Sequence, residues 1–320
     1  MGCLHTGSRY AWETPQTRQA VDGCLGGFMW NGRSVSVVLM TYAERDSIRS
    51  VIDAFFATKV VDEVIVVDNN AQAGTREQVA MTDALCVQEE RQGYGFATRR
   101  GLAEASGDLI VLAEPDGTFL ASDIVKLLAY SDECDAVFGS RTNRALIWHG
   151  ANMGPLLSWG NWVVAKMARL LFNSVHLSDV GCTYRLFTRA AVDTVLPQLR
   201  IGGSQLGPEL MLRTITSGLR FVEVPVNYLP RVGVSSVTGD IRKAIWLGLQ
   251  MSLLILSLRV RTWRSSARAA RLRLPVPTAP DLAGAESGSQ GHAQRRLFSL
   301  APRHHDQQLY QIQPIGADEG

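Results

Sequence analysis

The sequence predicts an α/β fold, a mostly parallel sheet with helices on both faces, followed by a C-terminal amphipathic helix. Three observations predict it. Short β-branched runs alternate with helix-period segments from Ser34 to Ser140. The runs are continuously apolar, as strands covered on both faces must be. Near the C-terminus, Ile241 to Val260 is apolar except for a narrow stripe at Lys243, Gln250 and Ser257.

Residues 1–33, rich in Gly, Thr and Gln without periodicity, read as a loosely ordered extension. Val35 to Met40 is the first strand, and Arg45 to Thr58 the first helix, with Ile48, Ile52, Phe55 and Phe56 on one face. Glu63 to Val67 is a strand ending at Asp68-Asn69-Asn70, Thr75 to Met81 a short helix, and Leu85 to Gln88 a strand. A helix over Phe96 to Ala105 stops at Gly107, and Asp108 to Ala113 is the fourth strand. Ser122 is the expected N-cap of a helix reaching Tyr130, and Ala136 to Ser140 is the fifth strand. A long helix follows over Pro155 to Phe172, then a loop and strand over Asp179 to Phe187. Pro208 to Thr216 is a helix with proline at its first position. Leu219 to Tyr228 alternates as a strand, and Pro225 favours its edge or end.

The expected organisation is an extension over 1–33, a catalytic domain over 34–239, an amphipathic helix over 240–262, and a tail over 263–320. The tail is basic, then low in apolar content. At 46% apolar and 19% charged, the chain can build a real core. A net charge of +2 does not suggest a nucleic-acid binder. Five cysteines without metal-ligand spacing read as reduced thiols of a cytosolic setting. No secretory leader is visible, and no uncharged apolar run reaches the roughly 18 residues of a spanning helix.

Chemistry concentrates at strand ends, where α/β sheets bind ligands. The fourth strand ends in Glu114-Pro115-Asp116-Gly117, two carboxylates that can share a hard divalent cation, which in turn can hold a diphosphate. The first ends in Thr41-Tyr42-Ala43-Glu44, where Tyr42 can stack on a base and Glu44 can accept from a ribose hydroxyl or orient an arginine. Asp68 closes the second strand as an acceptor for base or ribose. Arg91-Gln92-Gly93-Tyr94-Gly95 precedes a helix, so its glycines permit close backbone approach at a phosphate-attracting N-terminus. Arg141 ends the fifth strand pointing into the same cleft, with forked donors for a phosphate. Asp179-Val180-Gly181-Cys182-Thr183-Tyr184-Arg185 sets an aspartate and an arginine around a glycine turn. Cys182 reads as a packed residue. Glu209 opens a helix, either as a structural residue or in the cleft. The Gly/Ser-rich loop from Arg231 to Gly239, with Ser235, can close over a diphosphate.

Together these motifs, in this order over residues 34–240, resemble the family 2 glycosyltransferases, specifically the dolichyl-phosphate mannosyltransferase-like branch. The resemblance implies a GT-A fold, a nucleotide-diphosphate-sugar donor and Mg²⁺ or Mn²⁺. It implies Glu114 and Asp116 as the metal motif, with Thr41, Tyr42, Glu44, Asp68, Arg91, Gly93, Gly95, Arg231 and Ser235 on the nucleotide sugar. Arg141 and Arg185 fall to an acceptor phosphate, with Asp179 and Glu209 the candidates for a base if the acceptor is a hydroxyl. Three departures stand out: Glu for Asp at 114, Val-Gly-Cys where Ser-Gly-Phe is usual, and Val237 near the place of a lysine.

The expected reaction is a metal-dependent inverting sugar transfer to a polyprenyl phosphate. Alternatives are a hydroxyl acceptor of polysaccharide or glycolipid synthesis, or a catalytically degenerate binding protein. A nucleotidyltransferase is disfavoured, because the first loop lacks glycines and basic residues. A dehydrogenase is disfavoured because no Gly-x-Gly-x-x-Gly follows the first strand. Ile241 to Arg273, with Trp246 and an arginine cluster, is expected to lie in the headgroup region of a membrane. That places the protein peripherally on a cytoplasmic face. A homo-oligomer is an open expectation.

Overall fold

The computed structural model describes residues 29–151, 154–174, 177–233 and 241–272. The low-complexity tail, Ser235 and nearly all of the N-terminal extension lie outside them. Seven strands form one sheet: β1 (Val35–Thr41), β2 (Glu63–Asp68), β3 (Leu85–Gln88), β4 (Leu109–Ala113), β5 (Ala136–Ser140), β6 (Arg185–Thr188) and β7 (Phe221–Pro225). Their spatial order is β3-β2-β1-β4-β6-β5-β7. All pairings are parallel except those of β6, which runs antiparallel to both β4 and β5.

The helices are α1 (Arg45–Ala57), α2 (Thr75–Val79), α3 (Tyr94–Glu104), α4 (Ile124–Leu128), α5 (Pro155–Phe172), α6 (Arg189–Val195), α7 (Leu206–Thr216) and α8 (Ile241–Leu272). They cover both faces because successive strand residues point to opposite sides and both sides are apolar. Val37, Leu39 and Val111 pack with Ile48, Ile52 and Phe55 of α1 and Leu127 of α4. Val38, Met40, Ile110 and Leu112 face α3, α5, α6, α7 and α8.

The sheet is mostly parallel, as expected, and the antiparallel strand is β6. The four residues Arg185–Thr188 carry no signal of direction, which comes from the connections on either side. Helix α6 was not expected. Its seven residues follow β6 directly, and Thr188 caps it by accepting from the Ala191 amide. Ser122 does not cap α4. A 3₁₀ turn over Ala121–Asp123 comes first, and no side chain caps the helix. Pro225 is the last residue of β7, an edge strand. Helix α8 runs past the expected boundary at 262 to Leu272, and its Ile255 and Leu258 are buried in the core that α5 and α7 share.

Candidate active site

Parallel strands β1, β2, β4 and β5 deliver Thr41, Asp68, the Glu114–Asp116 pair and Arg141 to one edge of the sheet. The chain reverses direction of travel between β1 and β4, the crevice where such sheets take ligands.

The acid pair is the charged centre. Gly117 turns the chain with φ +76°, a backbone that other residues resist. Asp116 is buried, and its Oδ1 accepts from the Thr118 amide (2.9 Å) and hydroxyl (2.6 Å). Arg231 spans both carboxylates, with Nη2 at 2.9 Å from Glu114 Oε2 and 2.5 Å from Asp116 Oδ2. It is held there because the adjoining Val232 amide donates to the Asp116 carbonyl at 2.9 Å. The Asp116 contact is one of charge alone, since no donor hydrogen among the described residues is aimed at the buried Oδ2. A quarter of the Glu114 side chain meets solvent, yet desolvation and then the Asp116 charge push its carboxyl up to about 7 against the pull of Arg231 and Arg141.

These residues fit a divalent cation. Two hard oxygen donors converge, one lone pair is left unused, and a positive group already bridges them. No cluster of three or more His, Cys, Asp or Glu suited to a metal occurs among the described residues. The remaining ligands would be diphosphate oxygens and water, as hard cations accept.

At the end of β2, Asp68 is buried. It accepts from the Ala71 amide at 2.7 Å and pairs with Arg76. Beside them Asn70, Gln72, Gly74 and Glu77 line a hollow of about 320 Å³. Arg76 was missed by sequence reasoning. An exposed arginine on a five-residue helix carries no motif, and only the fold turns it toward β2. Tyr42 is 53% exposed and available to stack. Glu44, expected to accept from a ribose hydroxyl or orient an arginine, also braces the chain around it. Its Oε2 takes the Tyr42 and Ala43 amides (2.7 and 2.9 Å) and faces the Thr41 hydroxyl, so it stabilises its own turn.

Gly93 and Gly95 are also corrected. A Cβ on Gly93 would lie 2.3 Å from the Gly202 carbonyl oxygen, and one on Gly95 would lie 2.4 Å from that of Ile201. The close approach they permit is to the chain itself. The Gly95 and Phe96 amides at the start of α3 donate to Gly202 O, so they are not left for phosphate. Arg91 pairs with Glu89 at 2.8 Å and lies over the Phe96 ring.

At the end of β5, Asp179 is fully buried and grips Arg141 by two parallel bonds, Nε to Oδ2 at 2.8 Å and Nη2 to Oδ1 at 2.9 Å. Asn161 of α5 donates to the same carboxylate. Burial raises the Asp179 carboxyl, but Arg141 and the hydrogen bonds outweigh it and hold it down to about 2. That makes Asp179 an orienter of Arg141 rather than the base considered above. Glu223 fixes the same loop, accepting from the Ser178 amide (2.8 Å) and hydroxyl (2.7 Å) and from the Asp179 amide. Glu209 is buried on α7 and accepts from the Arg200 and Ile201 amides, bracing the loop under Gly93 and Gly95. Arg185 is not an acceptor-phosphate residue here. Its guanidinium is spent inside the protein on the carbonyls of Cys182, Val180 and Gly207. Cys182 is packed, and burial pushes its thiol up to about 12.

Residues 36–196 match the model of Glycosyl transferase family 2. An uncharacterized glycosyltransferase of Mycobacterium tuberculosis is 33% identical over 218 residues, covering 67% of this chain and 94% of its own. A dolichyl-phosphate hexose transferase of Haloferax volcanii is 29% identical over 203 residues, 62% of this chain and 84% of its own. Among solved structures, glucosyl-3-phosphoglycerate synthase from Mycobacterium tuberculosis, in complex with Mn²⁺, UDP and glucosyl-3-phosphoglycerate, superposes with a TM-score of 0.55. It is 20% identical and covers 72% of this chain and 80% of that one, which establishes the shared GT-A-like fold. With a strand-end acid pair, a matching fold and a relative aligned along nearly its whole length, the chain belongs to the family 2 glycosyltransferases.

Proposed function

We propose that this enzyme moves a hexosyl group from a nucleotide-diphosphate sugar, with Mg²⁺ or Mn²⁺, to a polyprenyl phosphate in a single inverting displacement. The observation that carries this is the Glu114–Asp116 pair at the end of β4, bridged by Arg231, with the clamped Arg141 close enough to act on the Glu114 charge. The Mn²⁺ and UDP of the glucosyl-3-phosphoglycerate synthase complex support the donor and metal, and the name of the Haloferax relative supports the acceptor.

A cation at the acid pair would neutralise charge on the departing diphosphate. Arg231, on a loop tied to Asp116, supplies donors to the same charge once the carboxylates are otherwise engaged. Asp179 and Asn161 hold Arg141 so that its remaining edge is aimed at an anionic acceptor. A phosphate acceptor is already ionised and needs no base. A hydroxyl acceptor would need one, and the two carboxylates considered for it are committed, Asp179 to Arg141 and Glu209 to backbone amides.

Peripheral attachment to the cytoplasmic face of a membrane belongs to the same reading. Its support is the exposed Trp246 and Trp263 on α8. Among the described residues no helix is long and apolar enough to cross a membrane.

The test is thermal shift with UDP, GDP, CDP and dTDP, each with and without Mn²⁺. One nucleotide should raise Tm only with metal, by about 2.7 kcal/mol of stabilisation at a hundred times its Kd. Asp116→Ala should lose that shift and at least about 10²-fold in transfer rate. Full transfer by Asp116→Ala would sink the reading.

A further inference from the structure

Arg141 is walled in on more than its Asp179 edge. The two parallel bonds to Asp179 fix the guanidinium within the plane of that carboxylate. Both bonds lie on one edge of the fork, so they resist rocking out of that plane only weakly. The wall against rocking is Tyr228. Arg141 Cζ lies over its ring, 5.1 Å from the centroid, and a cation is attracted to that electron-rich face. Gly181 keeps the Asp179 edge clear, since a Cβ there would come 2.9 Å from Arg141 Nη2.

The ring is itself held. Tyr228 is buried and packs against Phe119 at 5.8 Å between centroids, and Phe119 packs on the buried Tyr184 at 5.2 Å. The Tyr228 amide donates to the Leu146 carbonyl, and its carbonyl accepts from the Trp148 amide, both at 2.9 Å.

The chain that carries this ring goes straight on to the acid pair. The Leu229 amide donates to the Thr118 carbonyl at 2.8 Å and the Val232 amide to the Asp116 carbonyl at 2.9 Å. Residues 229–232 therefore run along the 116–118 turn, and Arg231 among them spans Glu114 and Asp116. The Tyr228 phenol accordingly feels the charges of Arg141, Glu114, Asp116 and Arg231. One short stretch thus sets both the ring under Arg141 and the arginine across the carboxylates. A group transfer between two bound reactants needs those two ends at a fixed separation.

We propose that Tyr228 is a positioning residue, whose ring sets the plane of Arg141 and ties it to the acid-pair turn, so that the free edge of the guanidinium is presented to the phosphate of an acceptor. This rests on the phosphate-acceptor reading of Arg141 and adds the residue on which its grip depends.

The experiment is calorimetric titration of farnesyl phosphate, a short prenyl phosphate, into the full chain with saturating Mn²⁺ and UDP. Wild type should bind it and Arg141→Gln should not. Tyr228→Leu should bind about tenfold more weakly, with the nucleotide- and Mn²⁺-dependent thermal shift unchanged. Tyr228→Phe keeps the ring and should restore the affinity. Trifluorophenylalanine at position 228 keeps the packing but withdraws charge from the ring face. It should weaken binding as leucine does, which keeps the test open even where the leucine variant folds poorly. Wild-type affinity with trifluorophenylalanine would overturn the proposal and leave Arg141 as the phosphate residue. A loss in Tyr228→Phe equal to that in Tyr228→Leu would also overturn it, by tracing the effect to the hydroxyl. Equal binding by wild type and Arg141→Gln, or none by either, would sink the phosphate role of Arg141 and the proposal with it.

Discussion

Arg231 stands where a divalent cation would be shared by Glu114 and Asp116, so the two positive groups compete for the same oxygens. Replacing it with a neutral side chain removes the competitor. Arg231→Gln should tighten Mn²⁺ binding in the absence of nucleotide by about tenfold, since each 1.4 kcal/mol is a factor of ten and bonds to charged groups contribute about 1.5–3 kcal/mol. Manganese electron paramagnetic resonance of the free protein reads this directly. Unchanged or weaker binding would show that Arg231 is a neighbour of the metal position and no rival for it. Asp179 offers a second residue-scale test. Its carboxyl is held at about 2, below the unfolded value of 3.8, so it contributes about 2 kcal/mol of stability above pH 4. That contribution is lost as pH falls from about 4 through 2. Urea unfolding between pH 2 and 5 should show a shallower acid loss in Asp179→Asn than in wild type. An identical slope would mean that the clamp is not the titrating group.

Which elements were legible in the sequence follows from what decides each one. The strands β1, β2, β4 and β5 were visible because both their faces are buried and their apolar runs are unbroken. The acid pair was visible because its carboxylates lie next to a strand end in the chain itself. The direction of β6 was not, because its partners β4 and β5 are distant in sequence, and the buried role of Arg185 was not, because only the folded chain brings the Val180, Cys182 and Gly207 carbonyls around it. The Gly93–Gly95 segment shows the difference most clearly. It carries the local pattern of a phosphate cradle, but the residues that press on it, Ile201 and Gly202, are a hundred positions away. Gly95→Ala should therefore act on the fold. Overpacking typically costs about 1–3 kcal/mol, a Tm loss of about 5 °C for this size of protein. The nucleotide-induced thermal shift should keep its size. A lost nucleotide shift at unchanged Tm would restore the phosphate role.

At the scale of the whole molecule, the site is assembled from both halves of the sheet. The side proposed for the nucleotide rests on β1, β2 and β4, whose pairings with one another are complete by Ala113. The side proposed for the acceptor depends on β5 and the Asp179 loop, and β6 wedges between β4 and β5 to join the two. That wedge has a consequence for how the chain is born. As the protein is synthesised, β5 emerges with neither of its neighbours yet made, because it pairs only with β6 and β7. At roughly 5–20 residues per second it waits roughly 2–9 s for Arg185–Thr188, with both of its own edges and the free edge of β4 open to any passing chain. Nascent chains stalled after Ser140 has emerged should be cut by protease within 136–140, and those stalled after Thr188 has emerged should be protected there. Equal protection of both would mean that β5 finds a temporary partner first. On this account, the strand that completes the acceptor side also ends the chain's most exposed interval on the ribosome.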